Sequence, residues 1–459
     1  MRVPRAQPAP TNLQAAQAHP RVRKDLCADA LFRTVKAEFE QVPDGRKGNV
    51  DYPMADTLMA GFAMFSLKDP SLLAFERRLQ CESNLHAIYR IDKVPSDTQF
   101  RVICDGVIPD FLRPAFRAVF RKLQRGKALE PFVFIDGHYL VTLDGTGCYS
   151  SQKVSSAACI IKTNQKTGTV TYELSLLGAC LVHPDRMEVI PLFPEMIANG
   201  DGTQKNDCER NAARRWLEKF RQDHPRLPVV ITEDALSPNA PHIKDLKKHD
   251  CRFILGVKPG DHKLLFTVVQ RAHKRGHTTV HEMADPNDPR ITHRFLFIDD
   301  VPLNKSNLEL TVNFIEYWEI GPDGKQTQHF TWVTDLPVTQ DTVYRIMRGG
   351  RARWRIENET FNTLKNQGYH FGHNYGLGKK HCAAVLATLM MLAFLVDQVQ
   401  QHCCELFQAV RDKLRVKREL WEAMRAVFQY FVFESMTELY CALLRGIRVK
   451  MPEPLLNTS

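Results

Sequence analysis

The sequence lacks any stretch that reads as a membrane anchor. Its longest apolar run, AAVLATLMMLAFLV from Ala383 to Val396, is fourteen residues. Crossing a bilayer as a helix takes roughly 20, so this run reads as a buried core helix. The opening MRVPRAQPAPTNLQAAQ has no apolar centre of an export signal. Cysteine is sparse, 12 in 459 residues, with no C-x2-C pair, which argues against a disulfide scaffold. His381-Cys382 and His402-Cys403-Cys404 stand in apolar, helical surroundings and read as packing thiols rather than zinc ligands. Reduced cysteines point to the cytoplasm. Gly378-Lys379 lacks the glycine five residues earlier and the following Ser or Thr of a phosphate loop, so nucleotide hydrolysis is not indicated. There is no internal repeat.

What is present is ordinary globular composition with a basic balance. Hydrophobic residues make up 44% and charged residues 25%. A chain of this length is expected to hold two to four folding units and a large core. The net charge of +10 and pI near 9.0 suit a polyanion, whose phosphates release counterions to Lys and Arg.

The texture divides the chain. Residues 1–20 are rich in Pro, Ala and Gln and are expected to be disordered. Residues 21–130 show apolar positions three and four apart, as in DALFRTVKAEFEQV and PMADTLMAGFAMFSL, which predicts helices. Basic groups there include Arg77, Arg78, Arg101, Arg113, Arg117, Arg121, Lys122, Arg125 and Lys127; they form either a DNA-gripping face or the solvated side of a bundle. From Pro131 the segments turn short, β-branched and aromatic. PFVFIDG, YLVTLDGTG, two strands around Asn-Gln-Lys-Thr-Gly, and RMEVIPLF predict an antiparallel opening. The helix ERNAARRWLEKFRQDHP and the strands LPVVITED and RFILGVKPG complete residues 131–261. Residues 262–336 read as strands without a helix, a β-rich insertion that includes a hairpin at Pro-Asp-Gly. Residues 337–400 and 401–459 return to helix. RDKLRVKREL near the end reads as a solvated helix face.

Three acids stand out. Arg351–Asn366 reads RARWRIENETFNTLKN. Arg353, Glu357 and Phe361 are four apart and share a helix face. A carboxylate among apolar neighbours needs a cation or a metal; Arg353 and Lys365 could supply the former, acids from elsewhere the latter. Asp144 in YLVTLDGTG and Asp234 in LPVVITED each end an apolar, strand-like run. Asp136 in FVFIDGHY also ends one, but can equally start a turn. Glu233 points to the opposite face from Asp234 if the strand persists. Glu359 lies about 200° round the helix from Glu357. DCERNAARRW, with Glu209, reads as a capped amphipathic helix. Two Asp on strand ends and a Glu on a later helix match the carboxylate cluster of a ribonuclease-H-like nuclease.

On these residues the sequence resembles a DDE transposase of the insertion-sequence type with a Y-x2-R-x3-E-x6-K helix. The matching motifs are LVTLDGTGCYSS, ITEDALSPNAPHI and RWRIENETFNTLKNQGYHFGHNYG, within about Phe132 to about Val396. Two positions depart: Gly350 stands where the motif has Tyr, and Lys365 follows Glu357 after seven residues rather than six. The resemblance implies an α+β or α/β chain: a ribonuclease-H-like mixed sheet flanked by helices, interrupted by the β-rich insertion, with helical N- and C-terminal regions. It implies Mg²⁺ or Mn²⁺, two ions held by Asp144, Asp234 and Glu357, with Asp144 bridging them. Oxygen ligands suit those ions. It further implies DNA cleavage and strand transfer on double-stranded DNA, transposon ends and target, by a homodimer. Arg353 and Lys365 would then meet phosphates. Trp354 either stacks on a displaced base or packs in the core.

Overall fold

Helices come first in the computed structural model, which describes residues 23–447 apart from 49, 79–81, 157, 200–206 and 236. The tail expected over 1–20 lies outside the described residues. The helices are α1 (Ala28–Phe39), α2 (Met54–Ser66), α3 (Leu72–Glu76), α4 (Glu82–Tyr89), α5 (Asp97–Asp105) and α6 (Arg113–Arg125). Ser71 and Ser96 cap α3 and α5 by accepting from the N–H groups of Ala74 and Gln99, which satisfies donors the first turn leaves free. Every residue of α2 is buried, as befits a helix that is apolar nearly all round. Some of the basic groups in this region are committed within the fold: Arg78 pairs with the fully buried carboxylate of Asp69 at 2.8 Å, and Arg113 with Asp223 at 2.6 Å.

The sheet follows: β1 (Val133–Ile135), β2 (His138–Ser151), β3 (Ile160–Thr163), β4 (Val170–Val182), β5 (Ile190–Pro191) and β6 (Glu195–Ile197). These pair antiparallel. The chain then runs through α7 (Glu209–Asp223), β7 (Val229–Glu233), α8 (Ala240–Lys248) and β8 (Arg252–Gly256). β7 lies parallel to β2 and β8 parallel to β7, with α7 returning the chain to β7 and α8 joining the second pair; parallel neighbours need such crossovers.

The stretch expected to be all strand begins with a helix, α9 (Lys263–Lys274). Its KLLFTVVQRAHK carries a β-branched Thr-Val-Val that favours a strand reading. Leu265 and Val269, four apart, are buried, and Phe266 packs edge-on against Phe314 at 5.3 Å. Burial of one face decides in favour of helix. β9 (Thr279–Ala284), β10 (Thr292–Asn304), β11 (Asn307–Ile320) and β12 (Gln326–Thr334) then form an antiparallel meander, with the hairpin at Pro322-Asp323-Gly324 as read. The meander is a continuation of the same sheet, because β12 pairs with β8. The strand order is β3-β4-β2-β7-β8-β12-β11-β10-β9 in a 12-stranded sheet. The mixed, helix-flanked, ribonuclease-H-like architecture is thus present.

The closing helices are α10 (Val343–Arg351), a π-turn over Ile356–Phe361, α11 (Asn362–Asn366), α12 (Cys382–Cys403), α13 (Glu405–Leu414), α14 (Lys417–Tyr430) and α15 (Met436–Arg445). α12 extends the apolar run to 22 residues and, among the described residues, is the one helix long and apolar enough to cross a membrane; 89% of its most apolar window is buried inside the protein. It packs against α2. There Lys68 Nζ meets Asp397 Oδ2 at 2.5 Å, and Tyr369 donates to the same oxygen at 2.6 Å. The first and last helical regions therefore share one core.

One contact sets the height of the Glu357 segment. Gly178 on β4 pairs with Asp144 across the ladder, and Phe361 sits on it: a Cβ there would lie 2.7 Å from Phe361 Cζ. Gly178→Ala is expected to cost about 1–3 kcal/mol by forcing that ring away. Gly147→Ala, with nothing within 4 Å of its added carbon, is the control. Urea midpoints that fall equally for both would remove Gly178 from this role.

Candidate active site

The first two acids meet because of register. β2 and β7 pair in parallel from Tyr139 beside Val229 to Thr142 beside Thr232. Two residues further, Asp144 lies within β2 rather than at the strand end expected of it, because the ladder with β4 carries β2 on to Ser151, while Asp234 directly follows the last residue of β7; the two line one cavity. Thr142 and Thr232, one pleat below, are fully buried with hydroxyls that find no hydrogen-bond partner. Glu233 points the other way, is 4% exposed, and lies 2.8 Å from His242 Nε2 on α8, off the line of a hydrogen bond. Asp136 sits in the β1–β2 turn at φ +48°, before the start of β2.

Glu357 comes in over β2. The π-turn lies on β2 and β4, seated on Gly178. Arg353 Nη1 joins the acids: it donates to Glu357 Oε1 at 2.8 Å and stands 3.9 Å from Asp144 Oδ2. Glu359 turns aside to Arg355 at 3.4 Å and acts on Lys417, whose ammonium burial holds down to about 8. The structure thus brings Asp144, Arg353 and Glu357 together, sets Asp234 beside Asp144 in one cavity, and turns Glu359 away to Arg355.

The two motif departures have physical reasons. A π-turn adds about one residue to a helical turn. That extra residue falls between Glu357 and Lys365, so Lys365 takes the phase that position 364 would hold in an unbroken α-helix. Leu364 faces the core, fully buried, and Lys365 is exposed. At Gly350, a Cβ would lie 2.5 Å from Trp332 Nε1 on β12; the tryptophan fills the room a tyrosine would need. Trp354 is not a core residue, because 46% of it is exposed; the Arg353 guanidinium lies 4.7 Å from its ring centre.

Two features escaped the sequence reading. Arg348, Arg351 and Arg355 form a row, three and four apart, along a groove of ≈560 Å³ with Phe330, Tyr344 and Trp354. The spacing was the available signal. Glu209, read as part of an amphipathic helix, turns toward Gly145 and lines a cavity of ≈460 Å³ with Asp144, Glu233 and Asp234. Local sequence carries no signal for that.

Burial, then the charge of Glu357, pushes Asp144 up to about 7; Arg353 opposes and Glu209 adds. The folded value lies above the ordinary 3.8, so ionising Asp144 opposes folding. The penalty is absent below pH 3.8, grows as pH rises towards 7, and is complete above it. In chelator-treated protein Asp144→Asn is expected to raise stability at pH 8 by about 1–3 kcal/mol, after solvent screening, and to leave it unchanged at pH 4. Equal thermal shifts at both pH values would show that the carboxylate bears no such penalty.

Residues 195–395 match the family model described as the transposase DDE domain. The match covers less than half of the 459 residues, includes Asp234 and Glu357, and begins after Asp144. A comparison with curated proteins found no match. The match identifies residues 195–395, within this mixed sheet and the helices that follow it, as similar to a transposase DDE domain.

Proposed function

We propose that the protein cuts DNA at the inverted repeats of an insertion sequence and transfers the freed strands to target DNA, with Asp144, Asp234 and Glu357 as the acids of the reaction. The observation that supports this is the meeting of Asp144 and Glu357 across Arg353, with Asp234 two residues past the β2–β7 pairing and lining a cavity with Asp144. The donor set fits divalent cations: it offers carboxylate oxygens only, which suits Mg²⁺ or Mn²⁺. The burial and, after it, the Glu357 charge that drive Asp144 up to about 7 are a cost that a shared cation would remove. Among the described residues no three such side chains stand ready at ion-holding distance; Arg353 lies between Asp144 and Glu357 and supplies a positive charge there. Two bound cations would supply an activated water or 3′-hydroxyl and stabilise the leaving oxygen.

The chain's own part is positional. Asp144, beside Asp234 in one cavity and linked to Glu357 through Arg353, would be shared between the cations. Arg353 offers a guanidinium fork to a phosphate oxygen, and exposed Lys365 a point charge beside it. Trp354, exposed and stiffened by Arg353, offers a flat face to a base. The substrate is double-stranded DNA, handled in the cytoplasm by two copies of the chain so that two ends are held together.

The test is a plasmid carrying the DNA that flanks the reading frame, incubated with protein and Mg²⁺ or Mn²⁺. Wild type is expected to nick at the repeat ends and to join them to a second DNA. Asp144→Asn, Asp234→Asn and Glu357→Gln are each expected to lower nicking roughly 100-fold or more while retaining a gel shift. Lys365→Ala should slow it without abolishing it. Undiminished nicking by Asp144→Asn would sink the assignment; nicking without joining would reduce the protein to a nuclease.

A further inference from the structure

α6 is a basic helix without an acid of its own. Its thirteen residues, RPAFRAVFRKLQR, hold four arginines and a lysine. α14, KRELWEAMRAVFQY, is also basic but carries Glu419 and Glu422 among its cations, the pattern of a solvated face. The apolar residues of α6 are buried, and Arg113, Arg117, Arg121 and Arg125 follow one another four apart along another side.

The ends of α7 and α8 extend this row. Phe120 lies edge-on to the His224 ring at 4.4 Å, which seats the end of α7 beside α6. Arg113 is answered by Asp223 at 2.6 Å and Asp110 at 3.6 Å, and Arg117 by Asp223 at 3.8 Å. Beyond these the countercharges stop. Arg221 donates to the carbonyls of His249, Leu227 and Asp250 at 2.6, 2.7 and 2.8 Å, which are neutral partners. Arg121, Arg226 and Lys248 are exposed, and among the described residues none of them pairs with a carboxylate. Burial, then the charges of Arg113, Arg117, Arg121 and Arg221, hold the His224 imidazole down to about 4. Burial and then Lys248 lower His249, with Arg221 adding and Glu218 and Asp245 opposing. Two rings on neighbouring helix ends therefore lie in one positive field.

This field is away from the acids. α7 begins at Glu209, beside Gly145, and its fifteen residues carry it about 22 Å to Asp223. α8 runs from the end of β7 back to the start of β8, since the two strands are parallel. The closing turns of both helices thus lie at the starting ends of the strands, and Asp234 lies past the finishing end of β7. Cations held together with few acids among them repel one another, and a phosphate backbone relieves that repulsion. Guanidinium forks suit phosphate oxygens.

We infer that the α6 row and the closing turns of α7 and α8 form a second DNA surface, which holds the backbone of a duplex roughly 20 Å, or about 6 base pairs, from the acids. This rests on the DNA reading above. Its contacts go to phosphates, so it grips duplex of any sequence and sets the position of the DNA without reading the repeat.

The measurement is fluorescence anisotropy of a labelled DNA duplex of arbitrary sequence, titrated with full-length protein in chelator over a range of salt. The triple variant Arg121→Ala, Arg226→Ala, Lys248→Ala changes exposed side chains only. It is expected to bind at least about 10-fold more weakly and to flatten the slope of log affinity against log salt by about 2–3. A second triple, Arg275→Ala, Lys305→Ala, Lys325→Ala, removes the same charge from exposed positions around the meander and should keep most of the slope. Equal losses in both triples would reduce the effect to net charge. A wild-type slope in the first triple would leave the row as a solvated face. Loss of binding to phosphatidylserine vesicles in the first triple, with DNA binding intact, would assign the surface to a membrane. Each of these overturns the proposal and leaves the DNA reading standing if wild type binds duplex and nicks it with Mg²⁺. If wild type does neither, the DNA reading itself fails, and this inference with it.

Discussion

The site depends on the parallel pairing of β2 with β7. Antiparallel neighbours can be joined by a tight turn, but a parallel pair obliges the chain to leave the sheet and come back. Here the return is α7, which connects the antiparallel opening to β7. The register Thr142 beside Thr232 then sets Asp144 and Asp234 in one cavity. A slip of one residue would turn Asp234 to the α8 side and bring Glu233 to the front. The burial of Val229, Val230 and Ile231 on both sides of the sheet holds that register, since these strands have no polar face to offer water.

A group of acids gathered this way is unfavourable by itself, and the fold counters it in stages. Arg353 answers Glu357 and Asp144 together. Trp354 stacks over the guanidinium and narrows its freedom. Phe361, docked on Gly178, and Ile356, fully buried, fix the backbone from which Glu357 extends. Asp144 still carries an electrostatic penalty after all this. Perturbed carboxyls of this kind gather at working sites, because a group comfortable in the free protein has little left to gain from a ligand.

The three acids drew notice in the sequence because each carries a local signal. Asp144 and Asp234 end apolar runs, and Glu357 shares a row with Arg353 and Phe361. What could not be read is what depends on distant neighbours. α9 went unread because the spacing of Leu265 and Val269 gains its meaning only when β10 and β11 are there to bury them. Trp354 belongs by type to a core, and only the placement of the insertion leaves it facing solvent. Lys365 looked out of phase because a π-turn, which depends on how the segment seats on β4, leaves no mark in composition. Glu209 is 65 residues from Asp144 in the chain, and nothing near it in sequence reports the cavity that the two line.

The antiparallel meander joined through β12 has a consequence for how such a chain can vary. β12 covers the outer backbone of β8 over Ile254–Gly256. Were the meander trimmed away, β8 would become a bare rim of the sheet, with unsatisfied amides and carbonyls ready to recruit a strand from another molecule. Shortening in this lineage would therefore have to bring a replacement cover along with it, or surrender solubility.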